Sequence, residues 1–341
     1  MKNFIVSFVV TLFVLTVSGL PVHGQPSTEN GTPLRVVTTI FPQFDFVRQI
    51  AGDRVDLRML LSPGAESHGF EPTPRDIITL YNADFFIYAG GHGDAWVEPI
   101  LTSLERENMR TVALLSLVEA VKQEVIEGTP GHRHEHHHGH GHHHEHHHGH
   151  GHHHEHHHGH VHNHEHHYDE HVWTCPRNAM LIVAALTDIL AELDPGNADY
   201  FRQNASAFIA ELEELDRAFA DVVANGVRRT VVFGDRFPFR YLTDTYGLTY
   251  FAAFEGCSAQ TQASPATIAF LIEKVQSENI PVVFHIEFSN QLIANVIAEA
   301  TGARLLEMHS IHNVSHADFT AGVTYLSLMR SNVEALREAL N

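Results

Sequence analysis

Cysteine and basic side chains are scarce in this chain of 341 residues. It contains two cysteines, and its 21 lysines and arginines face 41 aspartates and glutamates, giving a formal net charge of −20 at pH 7. Two cysteines are too few for a structural zinc site built from four thiolates. The acidic balance argues against nucleic-acid binding, because phosphate recognition needs a basic surface. A soluble protein that handles cations is consistent with both features.

No cysteine lies near the end of the apolar stretch at the N-terminus. In this stretch Lys2 precedes an apolar run over about residues 4–20, which is followed by small or helix-breaking residues. The layout predicts a signal peptide over residues 1–24, with an uncleaved membrane anchor as the alternative. A bacterial lipoprotein anchor would have no cysteine to attach to. We therefore expect export to the periplasm.

The two cysteines, Cys175 and Cys257, could pair with each other in an oxidising compartment. The sequence does not show whether their Cα atoms come close enough for a disulfide. A disulfide and two free thiols therefore both remain open.

Short apolar, β-branched runs alternate with helix-compatible stretches along most of the chain. They predict eight strands, at residues 34–40, 55–61, 84–90, 111–115, 230–234, 249–254, 281–288 and 303–308. Such alternation is typical of α/β folds with parallel sheets. Between the fourth and fifth runs, a proline-free stretch with regularly spaced apolar residues predicts one long helix.

These patterns predict two parallel-sheet lobes joined by one long, rigid helix, like a clamshell. The first lobe would span residues 34–195, the linking helix 197–226 and the second lobe 228–341. The cleft between the lobes should face the ends of the strands, where open sheets usually bind ligands. A stiff helix, unlike a pair of glycine hinges, would allow little closure.

Residues 131–167 form a repetitive tract of histidine, glutamate and glycine. Of the 32 histidines, 24 lie here, in decamers such as GHHHEHHHGH. This composition buries too little apolar area to offset backbone ordering, so we predict a disordered loop inserted in the first lobe. The loop can bind metal without a fold. An affinity tag is a poor explanation, because tags lie at chain termini.

Two histidines outside the tract are candidate metal ligands by their local context. His68 lies in the loop SPGAESHGFEPTPRD after a predicted strand, and His171 lies in EHVWTCPRNA before a predicted helix. A surface position for the first and the end of the tract for the second are the alternatives. Four further histidines are interpreted as structural or surface-exposed: His92, His285, His312 and His316.

Four features of the sequence belong together: SHGFEPTPRDI, HVWTCPRNA, the long central helix and AGVTYLSLMRSNVEAL. Together they resemble the zinc-binding solute-binding proteins of ABC transporters, which capture zinc or manganese outside the inner membrane. The similarity covers nearly all of the mature chain, and many members carry a His-rich loop at this position. It implies a metal held between the lobes by His68, His171 and one side chain from each of two second-lobe loops. The fourth family position falls at His309, in TGARLLEMHS.

The chain departs from the family at the third ligand position. The segment FGDRFPFRYLTDTYGL places Arg236 there, and arginine has no lone pair for a metal. Asp235 in the same loop, Glu287 in FHIEFSN, or a water could supply the missing ligand. The alternative roles are a supporting or helix-capping acid for Glu287, and an ion pair or turn residue for Asp235.

The resemblance implies a monomeric, non-enzymatic component of an ABC uptake system that delivers Zn²⁺ to an inner-membrane permease, with the tract as accessory collector. Three imidazoles and one oxygen suit tetrahedral Zn²⁺, whereas Mn²⁺ prefers more oxygen ligands. Alternative functions are a manganese-binding homologue, a secreted zinc hydrolase and a metal buffer that acts through the tract alone. Against the hydrolase hypothesis, no HExxH motif occurs outside the histidine tract.

Overall fold

The computed structural model describes residues 32–67, 69–106, 108–123, 168–256 and 263–341. The predicted signal peptide, the histidine tract, His68 and Cys257 lie outside the described residues. The other cysteine, Cys175, is buried with a free thiol, and its Sγ lies 3.2 Å from Oγ1 of Thr245.

The first lobe is built on a parallel sheet whose strand order is β2-β1-β3-β4. The strand bounds are Leu34–Thr38 for β1, Val55–Met59 for β2, Phe85–Tyr88 for β3 and Arg110–Ala113 for β4. The connecting helices are Phe41–Ala51 (α1), Pro74–Tyr81 (α2) and Val97–Leu104 (α3). These strands confirm the four predicted in this part of the chain.

Two antiparallel helices lead from the first lobe to the second. They are Pro176–Leu193 (α4) and Ala198–Asn225 (α5), and the 28 residues of α5 span about 42 Å at a rise of about 1.5 Å per residue. The buried face of α5 includes all five apolar positions that the sequence pattern predicts: Phe201, Phe208, Leu212, Leu215 and Phe219. The predicted linking helix is thus confirmed.

The second lobe repeats the topology of the first, with a parallel sheet in the order β6-β5-β7-β8. Its strands are Thr230–Phe237 (β5), Thr249–Glu255 (β6), Val282–His285 (β7) and Arg304–Glu307 (β8). Its helices are Arg240–Tyr246 (α6), Pro265–Ser277 (α7), Leu292–Thr301 (α8), His316–Ala321 (α9) and Tyr325–Leu340 (α10). In such a sheet the strand order reverses beside the first strand, and ligands bind where the strands end at that point.

Several strand ends differ from the sequence-based prediction, and two of these differences lie at the cleft. Strand β7 ends at His285, so Glu287 lies in the loop that follows. Strand β5 continues to Phe237, and its pairing with β6 is irregular between Phe233 and Arg236. A bulge of this kind re-aims the side chains near it, here that of Asp235.

One apolar cluster continues through both lobes and the helices between them. It includes Phe41 of α1, Phe208 of α5, Phe233 of β5 and Tyr325 of α10, all buried. A shared, close-packed core resists sliding of one lobe against the other. Within the part of the chain that the structure describes, none of the helices is both long and apolar enough to cross a membrane.

Candidate metal centre

His171 is fully buried, just before α4, and its ring is oriented by a carboxylate. Oδ1 of Asp169 lies 2.7 Å from its Nδ1 and also accepts its backbone N–H at 2.9 Å. Because an ionised carboxylate only accepts hydrogen bonds, Nδ1 carries the hydrogen and the neutral ring keeps its lone pair on Nε2. This Nε2 is buried and has no hydrogen-bond partner among the described residues. A buried nitrogen of this kind fits a metal ligand.

The charges around His171 are acidic. Burial lowers the pKa of its imidazole, but Asp169, Glu170 and Glu287 outweigh burial and raise the pKa above its usual value. The same negative surroundings would stabilise a divalent cation bound to the ring.

His312, from the loop after β8, packs against His171. The centroids of the two imidazole rings are 4.8 Å apart with an interplanar angle of 85°. The indole of Trp173 lies 5.6 Å from the ring of His171 and 5.0 Å from the ring of His312. His312 is buried, and its Nδ1 is 2.7 Å from Oγ of Ser310. The sequence-based interpretation placed this histidine outside the ligand set, because no local pattern marks it.

Glu287 belongs to the same cluster. Its Oε2 accepts the backbone N–H of Ser310 at 2.7 Å, and its Oε1 accepts the Ser310 hydroxyl at 2.5 Å. The carboxylate is buried, and its charge contributes to the raised pKa of His171. Each carboxylate oxygen has two lone pairs, so these hydrogen bonds leave capacity for a metal.

His309 has the opposite hydrogen-bonding pattern to His171. Its Nδ1 accepts the backbone N–H of Ile311 at 2.9 Å, so the hydrogen of the neutral ring is on Nε2. With Nδ1 engaged and Nε2 protonated, this tautomer offers a metal no lone pair. Asn332 holds its backbone through two hydrogen bonds of 2.8 Å. These contacts favour His312 over His309 at the fourth family position.

Asp235 ties the bulge in β5 to the loop after β7. Its Oδ1 accepts the backbone N–H of Arg236 at 2.8 Å, and its Oδ2 accepts that of Ile286 at 3.4 Å. The guanidinium of Arg236 lies 4.0 Å from the carboxylate of Glu66 across the cleft. The hydrogen bonds of Asp235 fit the turn role that the sequence offered as its alternative.

The remaining candidate histidines lie in other environments. His92 and His316 are exposed, whereas His285 is buried and donates from Nδ1 to the carbonyl of Ile286 at 3.0 Å. Within the described ranges, which omit His68, no group of three or more His, Cys, Asp or Glu side chains is arranged to hold a metal ion. Because His171, His312 and Glu287 are all among the described residues, these three side chains do not make up a metal site by themselves.

Comparisons with known proteins agree with this fold. The chain is 30% identical over 336 residues to the high-affinity zinc uptake system protein ZnuA of Bacillus subtilis, covering 96% of this chain and 97% of that protein. It is 28% identical over 306 residues to the zinc-binding lipoprotein AdcA of Streptococcus pneumoniae, covering 89% of this chain. The chain spans about half the length of that relative, 55%.

A solved structure shares the architecture. The Zn(II)-bound ZnuA-like domain of Streptococcus pneumoniae AdcA superposes with a TM-score of 0.68 at 25% identity, covering 90% of this chain and 99% of that domain. A family model described as zinc-uptake complex component A, periplasmic, matches residues 36–339. Because that match spans most of the sequence, the chain belongs to the ZnuA family.

Proposed function

We propose that this protein binds Zn²⁺ in the periplasm as a monomer and delivers it to the inner-membrane permease of an ABC uptake transporter. One observation carries the proposal: the buried Nε2 of His171 keeps a lone pair, lacks a hydrogen-bond partner among the described residues, and belongs to a ring packed against His312. The zinc-binding relatives support the choice of metal.

The ligand set that we propose is His68, His171 and His312, with Glu287 or a water as the oxygen donor. His68 enters this set from the sequence, and the other three from the contacts described above. Three imidazoles and one oxygen form a tetrahedral set that suits Zn²⁺. Asp235 and His309 then support the loops around the metal rather than bind it.

The histidine tract acts, in this proposal, as an accessory collector beside the cleft. Lys122 and Tyr168 form an antiparallel bridge on either side of the tract, and Tyr168 is three residues before His171. Metal held loosely by the tract would therefore be tethered close to the site.

Zinc affinity of variants that lack residues 131–167 tests the ligand set. We expect substitution of His171 or His312 by Ala to weaken binding at least about 100-fold, because each removes a ligand and not only a supporting contact. His309→Ala should have a much smaller effect and serves as the matched control. Unchanged tight binding in a variant with both His68→Ala and His171→Ala would overturn the assignment.

Manganese is the alternative cargo, since Glu287 adds an oxygen donor to the cluster. Competition between the two metals in the same deletion variant separates the possibilities. Displacement of Zn²⁺ by equimolar Mn²⁺ would reverse the assignment.

A further inference from the structure

Ser310 is fully buried in the loop after β8 and contacts both Glu287 and His312. Its hydroxyl oxygen lies 2.5 Å from Oε1 of Glu287 and 2.7 Å from Nδ1 of His312. Its backbone N–H donates to the same carboxylate, and its carbonyl accepts the indole N–H of Trp173 at 2.9 Å. Backbone and side chain are thus both held in place.

The single hydrogen of the hydroxyl determines which way these bonds run. With Glu287 ionised, its oxygens can only accept, so Ser310 donates its hydroxyl hydrogen to Glu287. The short contact with His312 then requires a hydrogen from the ring, and Nδ1–H donates to the Ser310 oxygen. The neutral His312 ring therefore carries its lone pair on Nε2.

We propose that Ser310 is a positioning residue that fixes His312 in the tautomer that coordinates metal through Nε2. The inference rests on the proposed function, because it takes His312 as a ligand. Asp169 orients His171 directly, whereas Glu287 acts on His312 through an intervening hydroxyl. Partners that orient ligating imidazoles in this way commonly change metal affinity by about 10- to 100-fold when they are removed.

The neighbouring His309 holds the other tautomer, because its Nδ1 faces a donor and not a hydroxyl oxygen. The backbone N–H of Ile311 donates to Nδ1 of His309 and places the ring hydrogen on Nε2. Two histidines three residues apart therefore hold opposite tautomers. The difference follows from whether the partner of Nδ1 is a donor or an acceptor.

The test compares Ser310→Ala and Ser310→Thr in protein lacking residues 131–167. Ser310→Ala should weaken zinc binding about 10- to 100-fold, and Ser310→Thr, which keeps the hydroxyl, should recover most of that loss. Ser315→Ala is the matched control: it removes a hydroxyl from the same loop, but one that caps α9 through Asp318.

Imidazole ¹⁵N shifts of His312 in the metal-free variants provide a readout that a merely structural role would not change. We expect one Nδ1–H tautomer in the wild type and in Ser310→Thr, and a mixture in Ser310→Ala. In a His312→Ala background, Ser310→Ala should cause a much smaller loss of affinity than in the wild-type background, because its main effect acts through His312.

Two results would overturn the inference. One is an unchanged His312 tautomer and unchanged zinc affinity in Ser310→Ala, while His312→Ala still weakens binding. This result would contradict the role of Ser310 but agree with the proposed ligand set. The other is unchanged zinc affinity in His312→Ala, which would contradict both the proposed ligand set and the role of Ser310.

Discussion

At the scale of single residues, the partner of each Nδ1 separates candidate ligands from supporting histidines. Asp169 accepts from Nδ1 of His171, whereas the backbone of Ile311 donates to Nδ1 of His309. The first arrangement leaves Nε2 with a lone pair and the second leaves it with a hydrogen. Metal chemistry here depends on hydrogen positions as well as on residue type.

Removal of the Asp169 side chain should therefore weaken zinc binding while leaving every proposed ligand in place. We expect Asp169→Ala to lower zinc affinity about 10- to 100-fold, because the His171 ring loses its orienting acceptor. Chelator competition measures the change. Asp216→Ala is the control, since that carboxylate binds Arg177 and Tyr246 away from the cluster. Equal effects of the two substitutions would contradict the prediction.

Asp94, in the loop after β3, predicts a pH dependence of stability. Burial raises the pKa of its carboxyl to about 6, and the nearby Glu170 charge acts in the same direction, against hydrogen bonds donated by Gly90 and Ala89. Between the usual carboxyl pKa and this value, the folded state binds more protons than the unfolded state. The contribution of Asp94 to stability therefore falls as pH rises through about 4 to 6.

Asp94→Asn removes this titration. The free energy of unfolding of the variant minus that of the wild type should be higher at pH 7 than at pH 4, by up to roughly 3 kcal/mol. Urea unfolding at both pH values measures the difference. Asp53→Asn, at a highly exposed side chain, controls for the loss of a charge. A difference between Asp94→Asn and wild type that stays constant with pH would contradict the assignment.

At the scale of elements, α6 of the second lobe hydrogen-bonds to the residues on both sides of the segment that carries the tract. Oη of Tyr241 donates to the carbonyl of Asp169 at 2.7 Å and accepts the N–H of Val121 at 3.2 Å. Because Asp169 also orients His171, a helix of one lobe holds in place a proposed ligand of the other.

Tyr241→Phe should therefore affect both stability and metal binding. We expect the free energy of unfolding to fall by about 1–3 kcal/mol, because buried polar groups lose their partner. Zinc should also dissociate faster, as measured by transfer to a chelator. Tyr246→Phe, on the same helix, loses a 2.7 Å hydrogen bond to Asp216 and should leave the zinc dissociation rate unchanged. Equal zinc dissociation rates in the two variants would contradict a link between α6 and the site.

At the scale of the whole molecule, the proposed function gives the shared core and the tract separate roles. The apolar cluster that spans both lobes favours a site that is largely formed before metal binds. The tract offers many imidazoles, and a collector of this kind would raise the number of ions held without changing the affinity of the cleft.

Deletion of residues 131–167 should lower the number of Zn²⁺ ions bound per chain at pH 7.5 to one. The affinity of that remaining ion should match the tightest site of the full-length protein, because the proposed ligands lie outside the tract. Calorimetric titration of both proteins measures number and affinity together. Loss of all tight binding in the deletion variant would instead favour a metal buffer that acts through the tract.

Much of the fold followed from local sequence patterns. The eight strands lie within or beside the predicted runs, and α5 buries the five apolar residues that its spacing predicts. The predictions of strand ends were less accurate: β7 stops at His285, although the predicted strand continues to residue 288. Hydrophobic periodicity reports which residues are buried, but not where the backbone leaves the sheet to form a binding loop.

The sequence by itself determined two parallel α/β lobes, the long helix between them and the candidacy of His171, because these depend on residues close together in the chain. Only the tertiary structure showed that His312 packs against His171 and that Nδ1 of His309 faces a hydrogen-bond donor, not an acceptor. Ser310 lies 137 residues from Trp173, to which it hydrogen-bonds. The groups that contact each Nδ1 are only two residues away in the chain, but which of them faces the ring depends on the backbone conformation of the folded loops, and no local pattern records it.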